Sequence, residues 1–142
     1  MKSQALIFLA LFSVTAVFAY PNTEDPIEQA KKAAEQFIQA VDKSDTEQLR
    51  TLLHQDLVQF ARLNGALMAF KTQDFIQMIG DKKIGGVTRT ISHQSAQLIR
   101  GEAVDVTLNA VSSEYDFMYQ IALAKSEGKW MIVGILVDIV KL

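Results

Sequence analysis

The second half of the chain is a series of short, strand-like runs, and this series is the strongest constraint on the fold. Only brief turns such as Arg100-Gly101-Glu102 and Glu127-Gly128 separate the runs. Connections this short join antiparallel neighbours, because a parallel pair needs a crossover of about a dozen residues or more. The sequence therefore predicts an antiparallel meander over residues 88–99, 103–113, 115–125 and 129–142.

Helix patterns precede these strands. Asp25 can cap a helix and Pro26 suits its first position, and apolar residues then recur at helical spacing as far as Val41. Ser44-Asp45-Thr46-Glu47 has the form of a capping box and predicts a second helix. A third helix is predicted to run from Thr72, its cap, to Gly80, a left-handed residue at its C-terminal end.

A hairpin is predicted between the second and third helices. Asn64-Gly65 tolerates the positive φ angles of a two-residue turn, and it separates strand-like residues 57–63 and 66–70. The order helix, helix, hairpin, helix and meander predicts an α+β fold in which a curved antiparallel sheet wraps around the N-terminal helices.

The N-terminus has the pattern of an export signal. Lys2 precedes an apolar stretch over residues 5–17, which ends at Val17-Phe18-Ala19 with small residues where a signal peptidase reads. The stretch is short for a lasting membrane span, and Pro21 breaks any helix that would continue it. We expect residues 1–19 to be a secretory signal peptide cleaved after Ala19. Residues 20–142 then form one domain, exported to the periplasm or secreted, with no stable membrane anchor.

Composition argues against several classes of function. The formal net charge is −2 without any run of like charges, which argues against binding to nucleic acid. The chain has no cysteine and two widely separated histidines, so no set of metal ligands is evident. Ile84-Gly85-Gly86 lacks the flanking strand and helix of a phosphate-binding loop. We therefore expect neither a metal nor a cofactor.

The last strand-like run is apolar on both faces. Simple alternation places Trp130, Ile132 and Leu136 on one face and Met131, Val133, Ile135, Val137 and Ile139 on the other. Helices cover one side of such a sheet and leave the other to water. A second apolar face predicts a homodimer through the outer sheet face, and the alternative is a further layer of the same chain.

Three stretches of the sequence resemble the nuclear transport factor 2-like superfamily, which includes ketosteroid isomerase, scytalone dehydratase and polyketide cyclase-like proteins. They are "FIQAVDKSDTEQLRTLLHQDLVQF", the Asn64-Gly65 hairpin leading to residues 72–76, and the ending Gly128-Lys129-Trp130-Met131-Ile132-Val133. The chain is most similar to the small bacterial lumazine-binding-like branch. The resemblance covers about residues 27–140. It implies a cone-shaped α+β barrel with a mostly apolar pocket between the helices and the concave sheet face.

Three residues in the meander are candidates for this pocket. Tyr115 and Tyr119 share a strand face, where they could present phenol donors to a ligand or fill the core with their rings. His93 alternates with Ile91, so it could face inward and act as a base. The alternative for His93 is a structural or surface histidine.

Two further candidates are Arg62 and Asp138. Alternation places Asp138 on the face of Trp130 and Ile132, where a carboxylate must pair, bind a proton or lie at the pocket mouth. A solvated aspartate at a strand end is the alternative. Arg62, which alternates with Phe60, is the natural partner of Asp138 or an anchor for an anionic ligand.

The resemblance leaves two classes of function open. Enzymes of this fold combine a carboxylate or histidine base with donors that stabilise an enolate oxygen. The candidates do not make a complete set, so we expect a non-catalytic exported domain. It would bind a small, largely apolar molecule or a protein partner through the cone pocket and the sheet face. The alternative is a cofactor-free isomerase, dehydratase or cyclase, and a third reading is a structural domain whose cone is filled by side chains such as Phe37, Phe117 and Met118.

Overall fold

The computed structural model describes residues 24–142, and the predicted signal peptide lies outside these residues. The described part belongs to the α+β class, as predicted. Its helices are α1 (Pro26–Asp42), α2 (Thr46–Leu52) and α3 (Thr72–Gly80). Its strands are β1 (Val58–Leu63), β2 (Ala66–Lys71), β3 (Thr90–Arg100), β4 (Ala103–Val111), β5 (Tyr115–Ser126) and β6 (Lys129–Lys141).

The strands form one six-stranded sheet in the order β2-β1-β6-β5-β4-β3. Strands β3 to β6 are an antiparallel meander, as predicted, and β1 and β2 form the predicted hairpin. Strand β1 lies parallel to β6, with Phe60 beside Leu136, so the complete sheet is mixed. The pairing of β1 with β6 brings the hairpin beside the meander.

Aspartates cap the first two helices. The Asp25 carboxylate accepts a hydrogen bond from the Ile27 amide at 3.0 Å, and the Asp45 carboxylate accepts one from the Gln48 amide at 3.1 Å. The N-cap of α2 is therefore Asp45, one residue after Ser44, the cap that the predicted capping box implies. Ser44 instead adopts a left-handed φ of 53°.

The ends of α3 differ from the prediction. Lys71 is the N-cap and makes no capping bond through its side chain, while the Thr72 hydroxyl donates to the carbonyl groups of His54 and Leu57. At the other end, Gly80 is still helical and Lys82 is the left-handed residue. Thr72 therefore ties α3 to the chain ahead of β1 instead of capping the helix.

The core lies between α1 and the concave face of the sheet. The apolar stripe of α1 is buried, and Phe37 and Ile38 are almost wholly inaccessible to water. Burial of a side chain of this size contributes about 1.5–3 kcal/mol. Trp130 connects the two layers, because its Nε1 donates to Gln29 Oε1 at 2.8 Å. Strand β4 faces α1 with four buried residues: Val104, Val106, Leu108 and Ala110.

A bulge in β6 changes which of its residues face inward. Leu123 pairs with Ile132 but Ala122 pairs with Gly134, so β6 has one extra residue at Val133. Ile132 is buried, whereas Leu136 is 48% exposed on the outer face. The prediction that Ile132 and Leu136 share a face was wrong, because it assumed unbroken alternation.

A second bulge, in β3, has the same effect on His93. Ile91 pairs with Ala110 and His93 pairs with Asn109, so Ser92 is the extra residue. Ile91 packs against the core while His93 is exposed on the outer face. The structure therefore excludes the inward orientation of His93 and agrees with the alternative, a surface histidine.

In residues 24–142, no helix has the length and apolar character needed to cross a membrane.

Candidate functional site

A cavity of about 400 Å³ lies between the concave face of the sheet, the C-terminal end of α1 and the loop from α3 to β3. Its walls are mainly apolar. They include Ala61 on β1, Phe70 on β2, Phe75 on α3 and Val137 on β6. A small set of polar side chains completes the lining: Asp42, Gln59, Lys83, Arg89, Tyr115 and Tyr119.

The polar part of the lining is built around a buried ion pair. Arg89 Nε donates to Asp42 Oδ1 at 2.7 Å, and the Arg89 backbone amide donates to Asp42 Oδ2 at 3.1 Å. The side chains are only 3% and 12% exposed, respectively. Because Asp42 ends α1 and Arg89 precedes β3, this pair fixes the end of the helix against the start of the strand. It also balances the two buried charges.

Aromatic side chains of β5 form the surface beside Arg89. The rings of Phe117 and Tyr119 are nearly parallel, with centroids 6.3 Å apart and 10° between their planes. The guanidinium carbon of Arg89 lies 4.6 Å from the Phe117 centroid and 5.5 Å from that of Tyr119. These are cation–π distances, so the rings help to hold the guanidinium group.

Tyr119 is a neutral hydrogen-bonding group in this setting. Its hydroxyl oxygen accepts from Arg89 Nη1 at 2.6 Å. Burial raises the pKa of Tyr119, and the nearby Arg89 charge offsets this only in part. Burial by itself lowers the pKa of Arg89, but Tyr119 and Asp42 raise it above its ordinary value. The Tyr119 phenol therefore keeps its proton at neutral pH and can donate it in a hydrogen bond.

Two polar atoms of the lining are buried and have no hydrogen-bond partner among the described residues. They are Arg89 Nη2, a donor, and Gln59 Oε1, an acceptor. An unpaired buried polar atom costs about 1–3 kcal/mol. Such atoms are uncommon in folded proteins, and both belong to residues that line the cavity.

The loop over residues 81–89 is fixed against α1 by two glycines. Gly85 and Gly86 have φ angles of 76° and 73°, and the Gly86 amide donates to the Val41 carbonyl at 3.1 Å. A Cβ atom on Gly85 would lie 2.6 Å from the Val41 oxygen, so only glycine fits. Lys83, Ile84 and Val87 of this loop lie at the cavity.

The structure places Tyr115 and Tyr119 at the cavity but not the other three residues predicted for the pocket. Arg62 and Asp138 form a bidentate pair on the outer face, with both N–O distances at 2.8 Å. The hydrogen bond from Arg62 lowers the pKa of Asp138, opposed only in part by desolvation. His93 lies on the same outer face, but three strands separate its strand, β3, from the strand of Arg62, β1.

Alternation predicts the wrong inward face for β1, because the larger apolar residues of this strand face outward. Val58 and Phe60 alternate with Arg62 and are exposed, whereas Gln59 and Ala61 face the cavity. Side-chain size and hydrophobicity favour burial of the outer set, so the sequence does not indicate Gln59 as a cavity residue.

Asp42 and Arg89 were also missed. Asp42 follows Ile38 by four residues and so continues the buried stripe of α1, a signal that could have marked it as an inward-facing acid. Arg89 follows a glycine-containing loop without periodicity, and no sequence signal distinguishes it.

The described part of the chain contains no group of three or more histidine, aspartate or glutamate side chains placed to hold a metal ion.

Solved structures with the same architecture show which fold the chain adopts. A cystatin-like fold protein from Burkholderia xenovorans matches with a TM-score of 0.68 and 14% identity, over 85% of this chain and 96% of that one. A nuclear transport factor 2-like protein from Cytophaga hutchinsonii matches with a TM-score of 0.66 and 19% identity, over 75% and 92% of the two chains. One of unknown function from Silicibacter pomeroyi has a TM-score of 0.65 and 19% identity, over 80% and 94%. The fold is therefore the nuclear transport factor 2-like cone, as predicted.

The family follows from the sequence match. Residues 25–135 match the family described as "Putative lumazine-binding", and the chain belongs to that family. No curated protein matches the chain.

Proposed function

We propose that this protein binds a small, largely apolar molecule in the cavity between α1 and the sheet, without catalysing a reaction. The observation that carries the proposal is the cavity itself, whose apolar walls hold a few converging polar groups. Its volume of about 400 Å³ falls within the range of small-molecule sites. The family description, which refers to lumazine, supports binding of a small ring compound.

A non-catalytic role is favoured by the state of the polar groups. The carboxylate that lines the cavity, Asp42, is engaged by Arg89 in two hydrogen bonds. His54 and His93 are not part of the lining. A general base needs a free acceptor within reach of its substrate. Asp42 is not free and the two histidines do not line the cavity, so none of the three meets this requirement.

Native mass spectrometry of the protein purified from its own cells tests the proposal. We expect a co-purifying molecule that is lost from Met68→Trp, because Met68 lines the cavity and an indole ring would occupy that space. Leu67→Trp is the matched control, since Leu67 is the neighbouring residue of β2 and is exposed on its other face. Retention of the molecule by Met68→Trp, or its loss from both variants, would contradict binding in the cavity.

We also propose that the protein is exported and cleaved after Ala19. The support is the charged start, apolar stretch and small residues of the first 19 positions. N-terminal sequencing of protein recovered from outside the cytoplasm should begin at Tyr20, and an intact Met1 in that fraction would refute cleavage.

A homodimer through the outer sheet face is a further part of the proposal. Exposed apolar residues on β1, β5 and β6 lie side by side there, around the Arg62–Asp138 pair. A contiguous apolar area of this kind is typical of an interaction surface. A second copy can present the same residues about a two-fold axis. The apolar set is Val58, Phe60, Met118, Leu136 and Val140.

A further inference from the structure

We infer that the two copies of the dimer are related by an axis that runs along strands β1 and β6, so that Arg62 of each copy lies opposite the partner's Asp138. This inference rests on the proposed homodimer and specifies how the two outer sheet faces meet. Its basis is the place of the Arg62–Asp138 pair within the exposed apolar residues of that face.

The Arg62–Asp138 pair lies in the middle of a row of side chains that crosses four strands. Leu67 of β2 pairs with Arg62, and Met118 of β5 pairs with Asp138. Residues paired in this way point to the same face of the sheet, and Leu67 and Met118 are 65% and 46% exposed. From β2 to β5 the row is therefore apolar, positive, negative and apolar.

The neighbouring row of the outer face is also apolar at its centre. Phe60 and Leu136 lie side by side on β1 and β6, two positions before Arg62 and Asp138. An exposed ion pair contributes little to folding. Two opposite charges set among exposed apolar side chains can instead determine how a partner surface is oriented, which is the best attested role of polar groups in apolar interfaces.

Of the two axis directions that keep the strands of both sheets aligned, only one brings opposite charges together. The axis lies between the two sheets. If it runs along the strands, over the line between β1 and β6, each β1 lies opposite the partner's β6 and Arg62 faces the partner's Asp138. An axis across the strands would place Arg62 opposite the partner's Arg62, and facing like charges oppose association.

The axis along the strands also matches the apolar side chains. It places Phe60 opposite the partner's Leu136, because these residues are neighbours on β1 and β6. It places Leu67 opposite the partner's Met118, because these residues end the row of four on β2 and β5. Burial of apolar surface favours association, while the four charges alternate in sign around the axis.

Arg62 has donors for a second carboxylate. Within residues 24–142 its guanidinium group bonds only to Asp138, through Nε and Nη2, each at 2.8 Å. The remaining N–H groups can donate to the partner's Asp138. Charges that leave water need such additional hydrogen bonds, and the arrangement supplies them on both sides of the axis.

A charge-exchange variant tests this arrangement. Combining Arg62→Asp with Asp138→Arg exchanges the charges of β1 and β6 and keeps an ion pair within each chain. Two variant copies again place opposite charges across the axis, so the variant should form its own dimers. A variant copy and an unmodified copy would oppose like charges, so mixed dimers should be at least about ten-fold rarer than in a random mixture.

Native mass spectrometry measures the proportion of mixed dimers. The variant and isotope-labelled unmodified protein are mixed in urea and refolded together, so that both chains are free to choose a partner. Gln97→Asp combined with Asp105→Gln is the matched control. It moves a charge between the paired residues of β3 and β4 on the same sheet face, away from the apolar set, and should give mixed dimers at the random proportion.

The two single variants give an independent measurement that does not require the exchange variant to fold. Arg62→Asp alone and Asp138→Arg alone each oppose like charges, so the dissociation constant of each dimer should rise at least about ten-fold in sedimentation equilibrium. An equimolar mixture of the two should form mixed dimers, because opposite charges then face each other. Circular dichroism checks that each variant is folded.

The outcomes separate this inference from the proposed homodimer. Mixed dimers of the exchange variant at the random proportion, or in excess of it, would overturn the inference, and so would a folded exchange variant that is monomeric. Single variants that dimerise as tightly as the unmodified protein, or whose mixture gives no mixed dimers, would also overturn it. Each of these results leaves the dimer of the unmodified protein in place, whereas a monomeric unmodified protein refutes both.

Discussion

Arg89 is the residue on which the polar side of the cavity depends. It bonds to Asp42 and Tyr119, lies over the ring of Phe117, and has one donor, Nη2, without a partner among residues 24–142. An arginine suits this position because its planar group can satisfy several partners at fixed angles, which a lysine cannot do.

Replacement of Arg89 should destabilise the fold strongly. Arg89→Met leaves the Asp42 carboxylate buried without its partner, so the free energy of unfolding should fall by about 3–5 kcal/mol in urea denaturation. Arg50→Met is the control, because it breaks an exposed arginine–carboxylate pair with Glu47 on α2, away from the outer sheet face, and its effect should be far smaller. Equal losses in the two variants would mean that burial of the Asp42–Arg89 pair has no special importance.

Adding Asp42→Asn to Arg89→Met should recover part of the loss. The double variant removes the stranded negative charge, so its destabilisation should be smaller than the sum of the two single losses. Strictly additive losses would contradict direct coupling between the two side chains.

The raised pKa of Tyr119 predicts a loss of stability in alkali. The unfolded chain releases the tyrosine proton near pH 10, while the folded chain holds it to higher pH. The folded state therefore binds more protons above pH 10, and the free energy of unfolding should fall as pH rises through that range. Urea denaturation at pH 9, 10 and 11 should show a shallower fall for Tyr119→Phe than for the unmodified protein, and identical slopes would exclude this contribution.

At the scale of single elements, two of the three register shifts in the sheet, those at Ser92 and Val133, explain most of the differences between the predicted and the observed strand faces. Helix existence, the hairpin and the meander follow from capping residues, Asn64-Gly65 and short turns, and all of them are present. The sequence does not show which residues of β3 and β6 face the core. One extra residue, Ser92 in β3 and Val133 in β6, reverses the alternation of the residues that come after it. Nothing in either local sequence marks these positions, since a bulge is fixed by pairing with the neighbouring strand.

The same reasoning explains why Tyr115 and Tyr119 lie at the cavity as predicted, whereas Arg62, His93 and Asp138 do not. Tyr115 and Tyr119 lie on β5, whose own sequence has no extra residue, so simple alternation placed them together. His93 and Asp138 lie beyond bulges, and Arg62 lies on a strand whose outer face is the more apolar one. The Asp42–Arg89 pair joins residues 47 positions apart, and local patterns carry no information about such a contact.

The loop between α3 and β3 should be sensitive to the smallest added side chain. Gly85→Ala places a methyl group against the Val41 carbonyl, and we expect it to cost at least about 1 kcal/mol more than Gly128→Ala. Gly128 is the matched control because its φ of 77° is almost the same, but no atom lies within 4 Å of an added Cβ. Thermal denaturation compares the two variants, and equal costs would show that the strain comes from φ alone.

At the scale of the whole molecule, the outer sheet face should control the oligomeric state. Phe60 and Leu136 are neighbours on adjacent strands, 44% and 48% exposed. Leu136→Lys would place a charge at the centre of the proposed interface, so the protein should become monomeric in sedimentation equilibrium. Ile99→Lys, on edge strand β3, is the control and should remain dimeric. A monomeric unmodified protein would refute the proposed dimer.

The position of β6 has a consequence for how the chain reaches its folded state. This strand comes last in the sheet's chain order, yet it lies between β1 and β5. Its pairing with β1 joins residues as far as 76 positions apart, as between Arg62 and Asp138. Contacts of such long range slow folding, because most of the chain must be ordered before they form. The hairpin and the first three strands of the meander can assemble separately, but the cavity comes into existence only when β6 inserts between them.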